Sequence, residues 1–109
     1  ANMSEAEVVR KQVATLNKLP GVYCLRTHGG TFQQKGTPDI MGCAHGFFFS
    51  IESKLTQKDK ASPAQLYNLK QFRRAKGKTF VSRDPKVEEV VAWIRSLPRS
   101  SGQSGSTQE

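Results

Sequence analysis

The dipeptide His45-Gly46 does most to limit what this chain can become. It separates residues 39–44 from residues 47–54, two runs that read as strands. A two-residue link with Gly second is a β-hairpin signal. A turn there sets Ala44 opposite Phe47, Ile40 opposite Ile51 and Asp39 opposite Glu52. Directly opposed side chains of an antiparallel pair lie about 5 Å apart at Cβ.

The remaining elements fall around this hairpin. Ser4 is the expected N-cap of a helix from Glu5 to about Leu19, stopped by Pro20-Gly21. On that helix Val8, Val9, Val13, Leu16 and Leu19 share a stripe; Glu5 falls within it, and Glu7 falls opposite with Arg10, Lys11 and Lys18. Residues 22–27 form a first strand, and 28–38 form a loop carrying His28, Gly29 and Gly30. Ser62 caps a second helix, with Pro63 at its first position, Gly77 beyond its end and Leu66, Leu69 and Phe72 inward. Residues 78–82 read as a fourth strand. Asp84 is expected to cap a last helix, with Pro85 at its first position, Val87, Val90, Val91, Ile94 and Leu97 inward, and Pro98 at its end.

The expected fold is therefore α/β: a small mixed sheet of about four strands flanked by helices, in the order αβββαβα. A single domain over residues 4–97 suits 109 residues, and the polar stretch 98–109 reads as a flexible tail. No apolar run reaches the roughly 18 residues of a membrane span. No basic, apolar and small-residue leader is read at the start, so the cytoplasm is the expected compartment. Cys24 and Cys43 form neither a CxxC pair nor a disulfide framework; two buried free thiols are expected.

The formal charge is +8, which favours a polyanionic partner. Its distribution is more informative. Between Val8 and Arg83 there are 14 basic residues and three acids, Asp39, Glu52 and Asp59. Two of those three face each other across the hairpin. Opposed like charges are destabilising there, and a divalent cation between them removes the conflict; Mg²⁺ or Mn²⁺ suits such oxygen ligands. Lys54 projects from the same strand face as Glu52, beside that cation. Gln65 lies in angle between Leu69 and Phe72, so a polar side chain faces inward there as Glu5 does on the first helix.

Pro38-Asp39, followed after twelve residues by Glu52-Ser53-Lys54, resembles the PD-(D/E)xK nuclease signature. The wider text, Gly36-Thr37-Pro38-Asp39-Ile40, Ile51-Glu52-Ser53-Lys54 and Ser62-Pro63-Ala64-Gln65, resembles the VRR-NUC branch, the virus-type replication-repair nucleases, in their stand-alone phage and bacterial form. The resemblance runs from about Ser4 to Asp84. It implies a restriction-endonuclease-like core and a Mg²⁺- or Mn²⁺-dependent DNA endonuclease of replication, recombination or repair. It further implies metal ligands at Asp39, Glu52 and the Ser53 backbone carbonyl. Lys54 would position the attacking water or stabilise charge on the phosphate, Gln65 would complete the site, and Glu5 is chosen as the helical glutamate, with Glu7 the alternative. A homodimer acting on branched DNA, like a Holliday-junction resolvase, is the implied assembly, and a bacterial host cell the setting of a phage-encoded chain. Lys35, Lys70, Arg73, Arg74 and Lys76, with Lys78, are the candidate phosphate contacts. The alternatives are a catalytically inactive nucleic-acid-binding module on the same fold and an RNA-directed nuclease.

Overall fold

The structure, a computed structural model, describes residues 3–27, 34–56 and 58–99. The expected tail beyond Arg99 and the loop residues 28–33, with His28, lie outside the described residues. The elements are α1 (Glu5–Asn17), β1 (Val22–Arg26), β2 (Ile40–Ala44), β3 (Phe47–Ser53), α2 (Pro63–Arg74), β4 (Lys78–Ser82) and α3 (Glu88–Arg95). Their order is the expected αβββαβα.

The four strands lie side by side in chain order. β1, β2 and β3 are antiparallel neighbours, and β4 runs parallel to β3, so α2 is the crossover between them. The hairpin register is the one the turn dictates: Ala44 pairs with Phe47 and Ile40 with Ile51. His45 and Gly46 both carry positive φ, 50° and 89°, the backbone that a tight hairpin turn requires. The result is a four-stranded mixed sheet flanked by three helices, consistent with a restriction-endonuclease-like core.

β3 is covered on both faces, and its alternation organises the molecule. Phe49, Ile51 and Ser53 face α1 and α3: Phe49 meets Trp93 edge-on at 5.9 Å, and Ser53 bonds to Gln12. Phe48, Ser50 and Glu52 face α2: Phe48 stacks on Phe72 at 4.8 Å, and Glu52 bonds to Gln65. The apolar core lies on the first face, where Val9, Leu16, Cys24, Ile40, Ile51, Phe80, Val90 and Ile94 pack together. Burial of that size is the main force holding the helices on the sheet. α1 is also tied to the sheet edge, because the Asn17 side chain exchanges two hydrogen bonds, of 2.8 and 3.0 Å, with the backbone of Cys24.

Several expectations need correction. α3 starts at Glu88, not at Pro85. Asp84 instead closes a turn by accepting from the N–H groups of Lys86 (2.8 Å) and Glu88 (3.0 Å), and Val87 enters the helix with left-handed backbone, φ 47°. α1 ends at Asn17, with Lys18 as C-cap, ahead of Pro20. Leu66 is 55% exposed, because the apolar side of α2 centres on Leu69 and Phe72 and leaves Leu66 at its margin. Cys24 is buried as expected but Cys43 is exposed, since it lies on the face of β2 opposite the core. Finally, Gln12, absent from the apolar stripe, is wholly buried on α1, and Val13 is only partly so.

Candidate functional site

The site forms where β2 begins and β3 ends. Asp39 directly precedes β2, and its carbonyl accepts from the Thr27 N–H at 2.9 Å, which extends the β1–β2 pairing by one step. Between β2 and β3 the ladder stops at Ile40–Ile51. There the Ser53 N–H donates to Asp39 Oδ2 at 2.8 Å, so a carboxylate takes the place of a strand carbonyl. The Lys54 N–H donates the other way, to the Ser82 carbonyl at 3.0 Å. The two strand ends are thus pinned on both sides.

Glu52 is 2% exposed on the α2 face. Gln65 Nε2 donates to Glu52 Oε2, and Lys54 Nζ lies 3.7 Å from the same oxygen. Lys54 Nζ also donates to Gln65 Oε1 at 3.1 Å. The three side chains form a closed triangle. Burial, then the neighbouring Asp39 charge, pushes the Glu52 carboxyl up to about 8; Lys54 opposes the rise, and Glu5 adds to it. Two carboxylates facing each other in a partly dry site behave in this way.

Gln65 reaches this triangle through a local device. Ser62 and Gln65 form a capping box: Ser62 Oγ accepts from the Gln65 N–H at 3.2 Å, and Gln65 Oε1 accepts from the Ser62 N–H at 2.8 Å. The same oxygen receives Lys54. Capping the helix and completing the site are one arrangement. α1 carries the same box from Ser4 to Glu7, with bonds of 3.1 and 2.8 Å, but there the third residue points to solvent.

That separates the two glutamates of α1. Glu7 is committed to its cap. Glu5 is exposed rather than buried as its stripe position suggests, because it is the first residue of the helix; it lines a cleft of about 180 Å³ together with Ala6, Val9, Arg26 and Asp39. The structure therefore brings Glu5, Asp39, Glu52, Lys54 and Gln65 to one end of the sheet.

Among the described residues, no group of three or more His, Cys, Asp or Glu side chains closes on one point to hold a metal. A pair of carboxylates is the donor set a Mg²⁺ or Mn²⁺ ion needs, since it keeps several waters of its own. Asp39 Oδ1 and Glu52 Oε1 accept no N–H from the described residues, and burial together with the Asp39 charge raises the Glu52 carboxyl, which a cation beside the pair would lower again. The residues present fit such an ion.

The basic candidates divide. Lys70 and Arg74 are exposed on α2. Arg73 is also exposed, but its Nε donates to Thr79 Oγ1 at 2.7 Å, which gives it a structural task. Lys76 occupies the turn after α2, with φ 76°, and Lys78 lies 5.4 Å over the Phe80 ring. Lys35 is brought toward α2 by its loop: Asn68 Nδ2 donates to its carbonyl at 3.4 Å. The adjacent Gly36, at φ 81°, lies so close to Ala64 that a Cβ would meet its carbonyl at 2.6 Å.

Two residues that line or support the site had no sequence signal. Arg26 lines the Glu5–Asp39 cleft from the end of β1, and only the β1–β2 pairing reveals it. Gln12 lies beneath the site, bonded to Ser53 and Ser82. Compared with known proteins, the chain matches no family model and no curated protein. The resemblance to the virus-type replication-repair nucleases therefore rests on the residues of this site.

Proposed function

We propose that the chain is a Mg²⁺- or Mn²⁺-dependent nuclease that hydrolyses phosphodiester bonds of DNA, with its active site at the meeting of β2, β3, α1 and α2. One observation carries the reading: Asp39 and Glu52 converge with Lys54 beside them, and Gln65 ties the lysine to the glutamate. A structural role alone gives little reason to bury one carboxylate against another in a chain with so few acids.

Asp39, Glu52 and the Ser53 carbonyl would hold the metal. When bound, the metal supplies a more acidic water and neutralises charge on the phosphate. The chain's own residues do the rest. Glu52 would hold the metal through its ionised carboxylate. The Ser53 N–H on Oδ2 orients the Asp39 carboxylate. Gln65 holds Lys54 Nζ in place, so its charge meets the phosphate already oriented; preorganised charge of this kind acts most strongly in the transition state. Glu5, which lines the cleft with Asp39, would bind a water or a second ion. Lys35, Lys70 and Arg74 would draw in the phosphate backbone, with binding that weakens as salt rises. A homodimer and a preference for branched DNA belong to the same proposal.

The test is incubation of the purified chain with linear, nicked, flap and four-way DNA, and with single- and double-stranded RNA, in the presence of Mn²⁺, beside Asp39→Ala and Lys54→Ala. Cleavage by the wild type and a loss of at least about 100-fold in either variant, with DNA binding retained, is the expected result. Binding without cleavage by the wild type would select the catalytically inactive module, and cleavage of RNA alone would select an RNA-directed enzyme.

A further inference from the structure

Gln12 is a long polar side chain with 0% exposure, set among Val8, Val9 and Leu16 on the buried face of α1. An amide left without partners in such a place is strongly destabilising. It is compensated fully. Gln12 Oε1 accepts from Ser53 Oγ, and Nε2 donates to the Asp84 carbonyl at 3.1 Å and to Ser82 Oγ at 3.4 Å. One side chain thus joins α1 to the end of β3, the end of β4 and the turn that leads into α3.

Two of these links lead to the candidate site. Ser53, whose hydroxyl bonds to Gln12, is the residue whose N–H holds Asp39. Glu5 lies seven residues before Gln12, two turns along the same helix face. The stripe around Gln12 can pack with α1 rotated or shifted slightly, because apolar contacts are not directional. Hydrogen bonds to Ser53, Ser82 and Asp84 allow one setting. We propose that Gln12 is a positioning residue: it fixes Ser53 against Asp39 and fixes α1 so that Glu5 meets Asp39 across the cleft. This proposal rests on the metal reading only for its effect on metal affinity; its effect on Ser53 does not require a metal.

The experiment uses the full chain with Gln12→Met, close in size but without the amide, and Ser53→Ala, which removes the same bond from its other end. Val90→Ala, in the core of α3, serves as a control for lost stability alone. Mn²⁺ affinity is read from free Mn²⁺ by electron paramagnetic resonance, and the amide at position 53 by ¹⁵N–¹H shift and hydrogen exchange without metal. Gln12→Met is expected to weaken Mn²⁺ binding about 10- to 100-fold, the usual size of a loss behind a ligand. The position 53 amide should shift upfield and exchange faster, and Val90→Ala should change neither. Gln12→Met and Ser53→Ala together should do little more than either alone. An unchanged amide in Gln12→Met, or an equal change in Val90→Ala, overturns the proposal. A Gln12→Met chain that fails to fold leaves Ser53→Ala to decide it by Mn²⁺ affinity and by the protection factor of the position 53 amide, which corrects for the changed side chain. A wild type that binds no Mn²⁺ overturns the metal reading instead, and the amide alone then decides the role of Gln12.

Discussion

Asp39 Oδ2 and the Ser53 N–H are joined at 2.8 Å, so one acid of the site is held by the backbone of the strand that carries the other. The bond stands where the β2–β3 ladder stops, between Ile40–Ile51 and the diverging strand ends. A one-residue slip of this register would turn Asp39 away from Glu52, since it moves every side chain of the strand to the other face. The acidic pair is therefore a property of the hairpin register.

Lys54 gives the most direct test of the proposed chemistry. Its ammonium is held by Gln65 and Glu52, so removing it alters charge at the site with little loss of core packing. Lys54→Ala is expected to lower the Mn²⁺-dependent cleavage rate by about 10²–10³, as loss of one preorganised electrostatic group does elsewhere. DNA affinity in a filter-binding assay should stay within about twofold, because many other basic residues contribute to it. Cleavage at the wild-type rate would remove Lys54 from the mechanism.

Gln65 serves both a helix end and the site, and two variants separate these roles. Ser62→Ala breaks the cap and leaves the Gln65 contacts to Lys54 and Glu52; it should cost about 1 kcal/mol, a fall of about 4–8 °C in Tm. Gln65→Ala removes the other half of the box, the bond from the Ser62 N–H, together with the contacts to Lys54 and Glu52. Differential scanning calorimetry should find Gln65→Ala at least as destabilised as Ser62→Ala, while only Gln65→Ala loses cleavage. Equal loss of cleavage in both would make the cap the whole explanation.

The parallel between Ser62–Gln65 and Ser4–Glu7 shows where reading from sequence stops. Both capping boxes are visible as a Ser followed three residues later by Gln or Glu, and both form. Whether the third residue also faces a site depends on how the helix packs, which the box does not encode. Angle along the helix did separate Gln65 from the exposed face. The hairpin was legible because its register follows from two residues, His45 and Gly46. Gln12 was not, since its partners lie 41 and 70 residues away and a lone Gln beside an apolar stripe reads as its polar border. The start of α3 was misplaced for a related reason. Asp84-Pro85 has the form of a cap and first position, but Val87 adopts left-handed backbone and delays the helix to Glu88.

Glu5 and Glu7 should part cleanly under mutation. Glu5→Ala removes a side chain from the cleft beside Asp39 and breaks no bond of the α1 cap. It should lower the cleavage rate and leave Tm within about 1 °C, since exposed substitutions usually change stability little. Glu7→Ala loses the 2.8 Å bond from the Ser4 N–H and should lower Tm with cleavage unchanged. Steady-state cleavage beside thermal melts reads both effects, and the reverse pattern would make Glu7 the helical glutamate of the site.

Glu52 makes stability depend on pH in a direction opposite to that of an ordinary ion-paired acid. Its carboxyl is raised in the folded chain from 4.5 to about 8, chiefly by burial and then by Asp39. The folded state therefore holds a proton that the unfolded state releases. Its contribution to stability is full below about pH 4.5 and is lost as pH rises through 8. Metal-free protein should melt at progressively lower temperature between pH 5 and pH 8.5. In Glu52→Gln, which cannot ionise, that fall should largely vanish, leaving the variant more stable than wild type at pH 8.5 without metal. Mn²⁺ should restore wild-type stability most strongly at the upper end of the range. Its binding should release a proton below pH 8, read by calorimetry in buffers of different ionisation enthalpy. A melting temperature in Glu52→Gln that falls with pH as steeply as in wild type would assign the dependence to other groups and remove Glu52 as the proton-holding member of the pair.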